Sequence, residues 1–374
     1  MKFLLIYVPN LRFTNNQLKD FKIVDICKLK QGNQYDLKQQ FTEEKPDLKR
    51  FIRIVDYTQK TNDIRYVYSN GSENYVDCTD VVVVRYGASA GYVGRGINGI
   101  IANNLFTIRP INSALLNKSY LYHYLNAPVI QKQLNNTQSS GMPALNFQTI
   151  NNLHILLPEY QEQRQIAVFL DKIDERIQTQ IKIINDYKLL KKYITKSFIK
   201  QKGTSYLLSE IAELGRGRVI SSAEISKQKN PIYPVYSSQT SNNGVMGYLD
   251  NYDYEGEYIT WTTDGANAGT VYYRNGKFNC TNVCGILKIK NGYDAYYISN
   301  ILNCYTKKYV STNLANPKLM NNVMANIKIN LPSIERQKYF SNILKAIEYR
   351  VKIEQDIKLN LVKQKVFLLK NMFL

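Results

Sequence analysis

The stretch LPEYQEQRQIAVFLDKIDERI at residues 157–177 returns in altered form as LPSIERQKYFSNILKAIEYRV at residues 331–351. A spacing of 174 residues separates Pro158 from Pro332, and the same spacing aligns glutamine, leucine and arginine positions further along both stretches. Repetition at one fixed spacing indicates a duplicated structural unit. We therefore interpret the chain as two related halves, each ending in this segment.

The repeat continues upstream of these segments with a small drift in spacing. GASAGYV at residues 87–93 matches GANAGTV at residues 265–271, and Asp25-Ile26 matches Glu210-Ile211. The drift indicates that connecting loops differ in length while the order of elements is kept. The predicted order is a variable domain, a helical spacer, a second variable domain and a second spacer, at residues 1–156, 157–203, 204–330 and 331–374.

Both repeated segments have the periodicity of a long amphipathic helix. Apolar residues recur every three or four positions from Ile166 to Phe198, and neither glycine nor proline occurs between Pro158 and Gly203. A helix of about 40 residues is about 60 Å long, which exceeds the usual globular helix. We expect the two helices to pair as an antiparallel coiled coil. The alternative is that each helix covers only its own domain.

The two variable regions have the composition of mixed α/β (α+β) domains rich in strand. Short β-branched or aromatic runs broken by glycine and asparagine predict strands. These runs lie at residues 81–86, 254–263, 269–273 and 283–289. Shorter helices are predicted at residues 118–126 and 295–303. The predicted fold is a pseudo-twofold internal repeat in which two such domains alternate with the two long helices.

The charge of the chain points to a polyanionic partner. Lysine and arginine number 49 against 30 acidic residues, a net charge of +19, which would cause self-repulsion without such a partner. Nucleic acid is favoured over a membrane surface, because we find neither a basic amphipathic anchor nor an apolar run long enough to span a bilayer. Five cysteines without a CxxC pair and only two histidines argue against a zinc site. Together with the lack of a signal-peptide core, they predict a cytoplasmic protein.

Several short motifs occur in an order that is typical of one known family. They include VPNLRF near the start, EQRQIA and LDKID in the first spacer, ERQ in the second spacer, and GVMGY and GANAG in the second variable domain. Their positions are residues 8–13, 162–167, 170–174, 335–337, 244–248 and 265–269. Over essentially its whole length the chain resembles the specificity (S) subunit of type I restriction–modification systems.

The resemblance implies a sequence-specific DNA-binding subunit without catalytic activity. Each variable domain would be a target-recognition domain that reads one half of an interrupted, asymmetric site in double-stranded DNA. The spacers would dock two methyltransferase (M) subunits, and two restriction (R) subunits can join. No cofactor is expected in this chain, since S-adenosylmethionine would bind the M subunits and ATP with magnesium the R subunits.

Polar and basic residues in the glycine-rich loops are the candidates for DNA contacts. Arginine can bind guanine in bidentate fashion, asparagine and glutamine can do so with adenine, and serine and threonine serve bases or phosphates. The candidates in the first domain are Arg85, Tyr86, Ser89, Arg95, Asn98, Asn103 and Asn104. Those in the second are Ser237, Ser238, Gln239, Thr240, Asn242, Asn243, Trp261, Thr262, Asn267 and Arg274. The competing interpretation is ordinary turn chemistry, which uses the same residue types.

Two other classes of protein were weighed against this interpretation. A self-sufficient modification enzyme is disfavoured, because NPIY at residues 230–233 lacks the second proline of an amino-methyltransferase loop. GRGING at residues 94–99 matches GxGxxG but is followed by no convincing helix, so it fits a turn better than a cofactor loop. The remaining alternative is a coiled-coil scaffold with two glycan- or protein-binding β-rich domains. A neutral glycan would give no reason for the net charge of +19.

Overall fold

The computed structural model describes residues 18–59, 61–135, 143–311 and 316–373. The sequence motif at residues 8–13 lies outside the described residues. The chain divides into two compact units, of which unit 1 comprises residues 1–181 with 356–374 and unit 2 comprises residues 182–355.

The helices and strands of the first half follow one another in the order that the repeat predicts. They are β1 (Lys19–Lys22), α1 (Ile23–Ile26), β2 (Cys27–Gln31), β3 (Leu48–Ile52), α2 (Ile54–Thr58), β4 (Arg65–Tyr68), β5 (Tyr75–Val76), β6 (Val81–Val84), β7 (Val93–Gly94), β8 (Gly99–Ile101), β9 (Leu105–Pro110), α3 (Lys118–Leu125), α4 (Pro128–Asn135), α5 (Phe147–Asn151), β10 (His154–Leu157) and α6 (Tyr160–Ile199).

In its described residues, the second half repeats the ribbon strands, the sheet strands, the short helices and the long helix, although α8 precedes β13 whereas α2 follows β3. Its elements are β11 (Thr204–Leu207), α7 (Leu208–Ile211), β12 (Ala212–Arg216), α8 (Ser222–Ser226), β13 (Tyr233–Tyr236), β14 (Val245–Leu249), β15 (Tyr254–Thr262), β16 (Val271–Cys280), β17 (Cys284–Ile289), α9 (Ala295–Tyr305), α10 (Asn321–Ala325), β18 (Lys328–Leu331) and α11 (Ile334–Met372). Among the helices of the described residues, none combines the length and apolarity needed to cross a bilayer.

The duplication is confirmed in the pairing of strands. β1 pairs antiparallel with β10 in the first half, and β11 pairs antiparallel with β18 in the second. Each variable domain therefore begins and ends on a two-stranded ribbon that leads into its long helix. One backbone contact also repeats: a Cβ atom on Gly32 would lie 2.2 Å from the carbonyl oxygen of Ala102, and one on Gly217 would lie 2.1 Å from that of Cys280. Only glycine fits where two backbones approach so closely.

The sheets of the two units share one topology, except that β15 and β16 of unit 2 each correspond to two short strands in unit 1, β5 with β6 and β7 with β8. Unit 1 has two four-stranded sheets, in the orders β2-β9-β6-β7 and β4-β3-β8-β5, whereas unit 2 has one six-stranded sheet, β12-β17-β15-β16-β13-β14. β3 pairs in parallel with β8, and β13 pairs in parallel with β16. The ten-residue strand β16 of unit 2 thus corresponds to two short strands, β7 and β8, with a loop between them in unit 1.

The long helices pack against each other in antiparallel fashion within both units, as predicted. In unit 1, Leu170 of α6 shares a core with Leu368 and Met372 of α11. In unit 2, the rings of Phe198 and Phe340 stack with their centroids 3.6 Å apart. The start of each helix therefore packs against the end of the other.

One ion pair between the helices occurs twice with its partners exchanged. Asp174 pairs with Lys365 at 2.5 Å in unit 1, and Lys191 pairs with Glu348 in unit 2. At the 174-residue spacing, Glu348 is the equivalent of Asp174 and Lys365 is the equivalent of Lys191. Two equivalent helices in antiparallel register produce this exchange, as in an isologous interface.

Reversing one charge of this pair tests the register. We expect Lys365→Glu to lower the free energy of unfolding by about 1–2 kcal/mol, because two carboxylates would then face each other in a half-buried position. Adding Asp174→Lys should restore part of the loss but not all of it, because residue 174 also lies 3.8 Å from Arg95 Nη2; chemical denaturation measures this as a double-mutant cycle. Lys363→Glu changes the net charge equally at an exposed position and serves as the control. Additive losses in the double variant would contradict the register.

Candidate DNA interface

Two equivalent glycine-rich turns present polar side chains at the ends of equivalent strands. The turn at residues 87–91 follows β6, and the turn at residues 265–269 follows β15. In both turns the first and last glycines have positive φ angles, between 79° and 92°, and the amide of the fourth residue donates to the carbonyl of the first at 2.9 Å. The same backbone therefore presents Ser89, which is half-buried, in unit 1 and Asn267, which is exposed, in unit 2.

A polar cluster joins three chain segments in unit 1. Arg85 Nη1 donates to Gln31 Oε1 at 2.7 Å, and Gln31 Nε2 donates to the carbonyl of Asn103 at 2.6 Å. Asn103 Nδ2 donates to Gln34 Oε1 at 3.0 Å, and the Arg85 guanidinium lies 4.8 Å from the centroid of the Tyr86 ring. All five side chains are half-buried or more exposed, so their free polar atoms can accept a ligand at this edge.

Gln31 and Gln34 were not predicted from the sequence, because they lie more than 50 residues before Arg85 in the chain. Strand pairing between β2 and β9 brings them beside the turn that holds Asn103 and Asn104. Asn104 is also part of this edge, since its carbonyl accepts the backbone amide of Arg85 at 2.9 Å.

Asn98 lies at a second polar feature of unit 1. Its side chain is exposed and borders an open cleft of about 670 Å³ whose lining includes Lys45, Lys49 and Arg50. Glu44 also lines the cleft and Arg50 pairs with Asp56, which leaves Lys45 and Lys49 as the other cations of the lining. Such cations suit phosphate oxygens, which position a protein on DNA without reading sequence.

Arg95, one of the predicted DNA contacts, pairs with a carboxylate of the long helix α6. Its Nη2 atom lies 2.5 Å from Asp171 on α6, and its guanidinium lies 3.8 Å from the centroid of the Tyr122 ring on α3. Ser119 and the buried His123 also hydrogen-bond to Asp171, at 2.8 Å. Arg95 therefore fastens the β7–β8 loop to the long helix, and its contact with DNA stays a prediction.

The ionisation of this cluster follows from its hydrogen bonds. Burial opposes charge on Asp171, but hydrogen bonds from His123, Arg95 and Ser119 hold the pKa of its carboxyl group well below the ordinary value. Burial lowers the pKa of His123, although Asp171 acts in the opposite direction. The cluster is thus a charged carboxylate held by donors on the β7–β8 loop and α3.

The GxGxxG match lies in this same loop and links β7 to β8, so it does not lead from a strand into a helix. The position in unit 2 that corresponds to Arg95 is Tyr273, on the uninterrupted strand β16. Its ring packs edge-on against Tyr296 of α9, with centroids 5.2 Å apart. The two units therefore anchor equivalent positions by different chemistry, ionic in unit 1 and aromatic in unit 2.

Trp261 and Thr262 are core residues of unit 2 and not part of its surface. The Trp261 side chain has no solvent exposure, and its Nε1 donates to the carbonyl of Leu319 at 2.9 Å. A Cβ atom on Gly285 would lie 2.2 Å from the Trp261 ring, so that glycine makes the space that the indole fills. Thr262 is 1% exposed on the same strand. Both residues were predicted as DNA contacts. That prediction is wrong, because both side chains are buried in the structure.

The loop between β13 and β14 carries most of the other candidates of unit 2. Ser237 and Ser238 are half-buried at its start, and Gln239 and Thr240 are exposed. The loop is closed by the amide of Ser237, which donates to the carbonyl of Gly244 at 2.9 Å, and by the Gln239 side chain, which donates to the carbonyl of Val245. Its tip is formed by the exposed residues Asn242 and Asn243.

Arg274 supports this loop from inside the unit and was also predicted as a direct contact. Its side chain lies in the core, with the residue only 3% exposed, and burial lowers the pKa of its guanidinium. Nε donates to Thr260 Oγ1 at 3.1 Å, and Nη2 donates to the carbonyl of Asn243 at 2.9 Å. The guanidinium also lies 3.5 Å from the centroid of the Tyr236 ring. The prediction of a surface contact is therefore corrected to a structural contact beneath the loop.

The family of the chain follows from comparison with known proteins. Residues 15–186 and 202–364 both match the family described as the type I restriction modification DNA specificity domain. The chain belongs to this family. A putative type I specificity subunit of Mycoplasma pneumoniae is 35% identical over 226 residues, which cover 58% of this chain and 82% of that protein. The specificity subunit of the type I restriction enzyme MpnII from the same organism is 42% identical over 146 residues, covering 38% of this chain and 43% of that protein.

Solved structures of the same family share the fold at low sequence identity. The S subunit of a type I system from M. genitalium superposes with a TM-score of 0.64 at 16% identity, covering 96% of this chain and 97% of that chain. A chain from a structure of the assembly and conformational transition of the type I restriction–modification system gives 0.58 at 14% identity, covering 97% and 98%. These likenesses extend over both halves of the chain and confirm the repeat architecture.

Proposed function

We propose that this member of the specificity family reads a bipartite, asymmetric DNA site, with unit 1 and unit 2 each recognising one half. The observation that carries this proposal is the pair of equivalent turns at residues 87–91 and 265–269. Their hydrogen bonding is the same, yet one presents Ser89 and the other presents Asn267. Equivalent scaffolds with different polar side chains suit two different base sequences.

The charge of the chain supports DNA as the ligand. The net charge of +19 and the basic cleft beside Asn98 supply cations for phosphate oxygens, while the polar edge around Arg85 supplies groups that can bind bases. In this proposal, contacts with phosphates provide affinity and contacts with bases provide sequence specificity. Both would come from parts of unit 1.

Exposed apolar side chains on the long helices support protein partners. Val168 and Phe169 of α6 are 50% and 43% exposed in unit 1, and Tyr193 of α6 is 74% exposed in unit 2. Phe367 of α11, the equivalent of Tyr193, is 59% exposed in unit 1. Large apolar groups in solvent on both units are typical of docking surfaces. We assign them to two M subunits, with R subunits joining that complex.

In this assignment the chain contributes recognition and no catalytic group. S-adenosylmethionine would bind the M subunits, and ATP with magnesium would bind the R subunits. The chain itself would need no cofactor.

Salt dependence of DNA binding tests the electrostatic part of the proposal. The complex of the full chain with its M subunit should bind duplex DNA at least ~10-fold more weakly at about 200 mM than at about 50 mM salt, since phosphate contacts release counterions. Fluorescence anisotropy over a salt series gives the slope. Lys45→Gln with Lys49→Gln should reduce that slope by about 1–2, whereas the control Lys363→Gln should leave it unchanged. A slope near zero for the native complex would point to a ligand other than DNA.

A further inference from the structure

The tip of the β13–β14 loop has an unusual backbone. Asn242 and Asn243 are consecutive residues in the left-handed region, with φ angles of 47° and 54°, and Gly244 follows with a φ of 84°. Within the described part of the chain, these two asparagines are the residues other than glycine with positive φ. Glycine adopts this conformation without steric cost, whereas asparagine adopts it at some cost. Glycine could therefore replace either asparagine without backbone strain.

The side chains of Asn242 and Asn243 are available to a ligand. Both residues are exposed, and neither amide side chain makes a hydrogen bond to the described residues. A free carboxamide offers a donor and an acceptor side by side, which is the arrangement that pairs with N6 and N7 of adenine in the major groove. A strained backbone that presents unpaired polar groups is typical of a functional site.

A buried positive charge lies directly beneath this tip. The Arg274 guanidinium donates to the carbonyl of Asn243 at 2.9 Å, and a Cβ atom on Gly244 would lie 3.1 Å from its Nη2. No ion pair with Arg274 is found among the residues that the structure describes. Its charge is offset by uncharged groups, which are the Thr260 hydroxyl, the Asn243 carbonyl and the rings of Tyr236 and Tyr272 at 3.5 and 4.4 Å. A buried cation without a carboxylate is costly. The positive charge of Arg274 favours a polyanion at the loop. Its hydrogen bond holds the Asn243 carbonyl pointing towards the core.

We propose that Asn242 and Asn243 are specificity-determining residues that read an A·T base pair in the half-site of unit 2, and that Arg274 is a positioning residue that holds their loop in the reading conformation. The proposal rests on the proposed function, because it assigns a base to a site that this function places on DNA. It goes further because it assigns contact with the base to Asn242 and Asn243 and assigns the positioning of their loop to Arg274.

Glycine substitutions separate base reading from loop geometry. Asn242→Gly and Asn243→Gly keep the left-handed backbone and remove only the side chain. The thermal midpoint should change little, because the relief of backbone strain is opposed by the greater entropy of the unfolded chain. The complexes of each full-length variant with the M subunit are compared by single-molecule methylation sequencing. In at least one variant, the preference for A·T at one position of one half-site should fall about 10-fold or more. The other half-site and the gap should be unchanged.

Two further variants complete the test. Asn275→Ala removes an exposed asparagine on β16 of the same unit and should leave the motif as in the native complex. Arg274→Met should weaken the same A·T preference without touching the other half-site, and Arg274→Lys, which keeps the charge, should restore part of it. A residue with only a structural role would alter stability and total methylation but would not change the preference at one base position.

The outcomes distinguish this proposal from the function on which it rests. A gapped methylation motif in the native complex that both glycine variants retain unchanged would overturn the reading role while leaving the proposed function intact. Absence of any methylation motif in the native complex would overturn both. Loss of preference at one A·T position supports both.

Discussion

A chain that lacks residues 204–330 is expected to bind its M subunit and to recognise only one half of the DNA site. The cut ends lie together, because Thr204 and Leu331 are paired in the β11–β18 ribbon and Gly203 lies against the backbone of Leu331. The long helices can therefore be rejoined by a short connection. Each base pair that is no longer read removes about 1–3 kcal/mol of discrimination, so the requirement for that half-site should disappear.

Methylation sequencing with the truncated chain checks this expectation, and the reciprocal deletion is its matched control. Lys19 and Leu157 are paired in the β1–β10 ribbon, so removal of residues 20–156 should eliminate the other half-site instead. Methylation of the complete bipartite site by the chain without residues 204–330 would contradict the division of recognition between the units.

Trp261→Ala is expected to destabilise unit 2 by about 3–5 kcal/mol, as is usual when a large aromatic side chain is removed from a core. The indole has no solvent exposure and donates to the carbonyl of Leu319. Trp261→Phe should cost less, because it keeps most of the packing. Chemical denaturation of the full chain measures both variants.

Asn267→Ala provides the comparison for the Trp261 variant, since this neighbouring residue is exposed. It should leave the free energy of unfolding nearly unchanged and act on DNA binding alone. If Trp261→Ala instead kept native stability and lost only DNA binding, the indole would belong on the DNA surface, where the sequence analysis expected it.

The helical part of the fold was predictable because it is periodic and repeated. The spacing of apolar residues from Ile166 to Phe198 predicted a helix that the structure places at Tyr160–Ile199. The second copy gave the equivalent helix at Ile334–Met372. Pairing of the two helices followed from length, because an apolar stripe of this extent needs another long helix to bury it.

The surface of the recognition domains was less predictable, because glycine-rich segments carry the same residue types whether their side chains face solvent or the core. Arg95, Trp261 and Arg274 all lie near glycines in the sequence, yet they bind Asp171, Leu319 and Asn243 within their own units. Residues 259–262 at the end of β15 are all buried, so no alternation of polar and apolar residues marks Trp261 as a core residue.

The sequence did not predict which residues from distant parts of the chain lie side by side in the fold. Gln31 joins Arg85 and Asn103 only because β2 pairs with β9, and no local pattern marks it as part of a site. The break that turns one strand of unit 2 into β7 and β8 of unit 1 is likewise a tertiary feature, fastened by the ion pair of Arg95 with Asp171.

The most direct test of the account is single-molecule methylation sequencing of DNA from cells that express this chain together with the M subunit of its own system. The account predicts new adenine methylation in a motif of two different half-sites separated by a fixed gap. Methylation in a single uninterrupted motif, or none from a chain that forms a stable complex with the M subunit, would contradict recognition by two separate units.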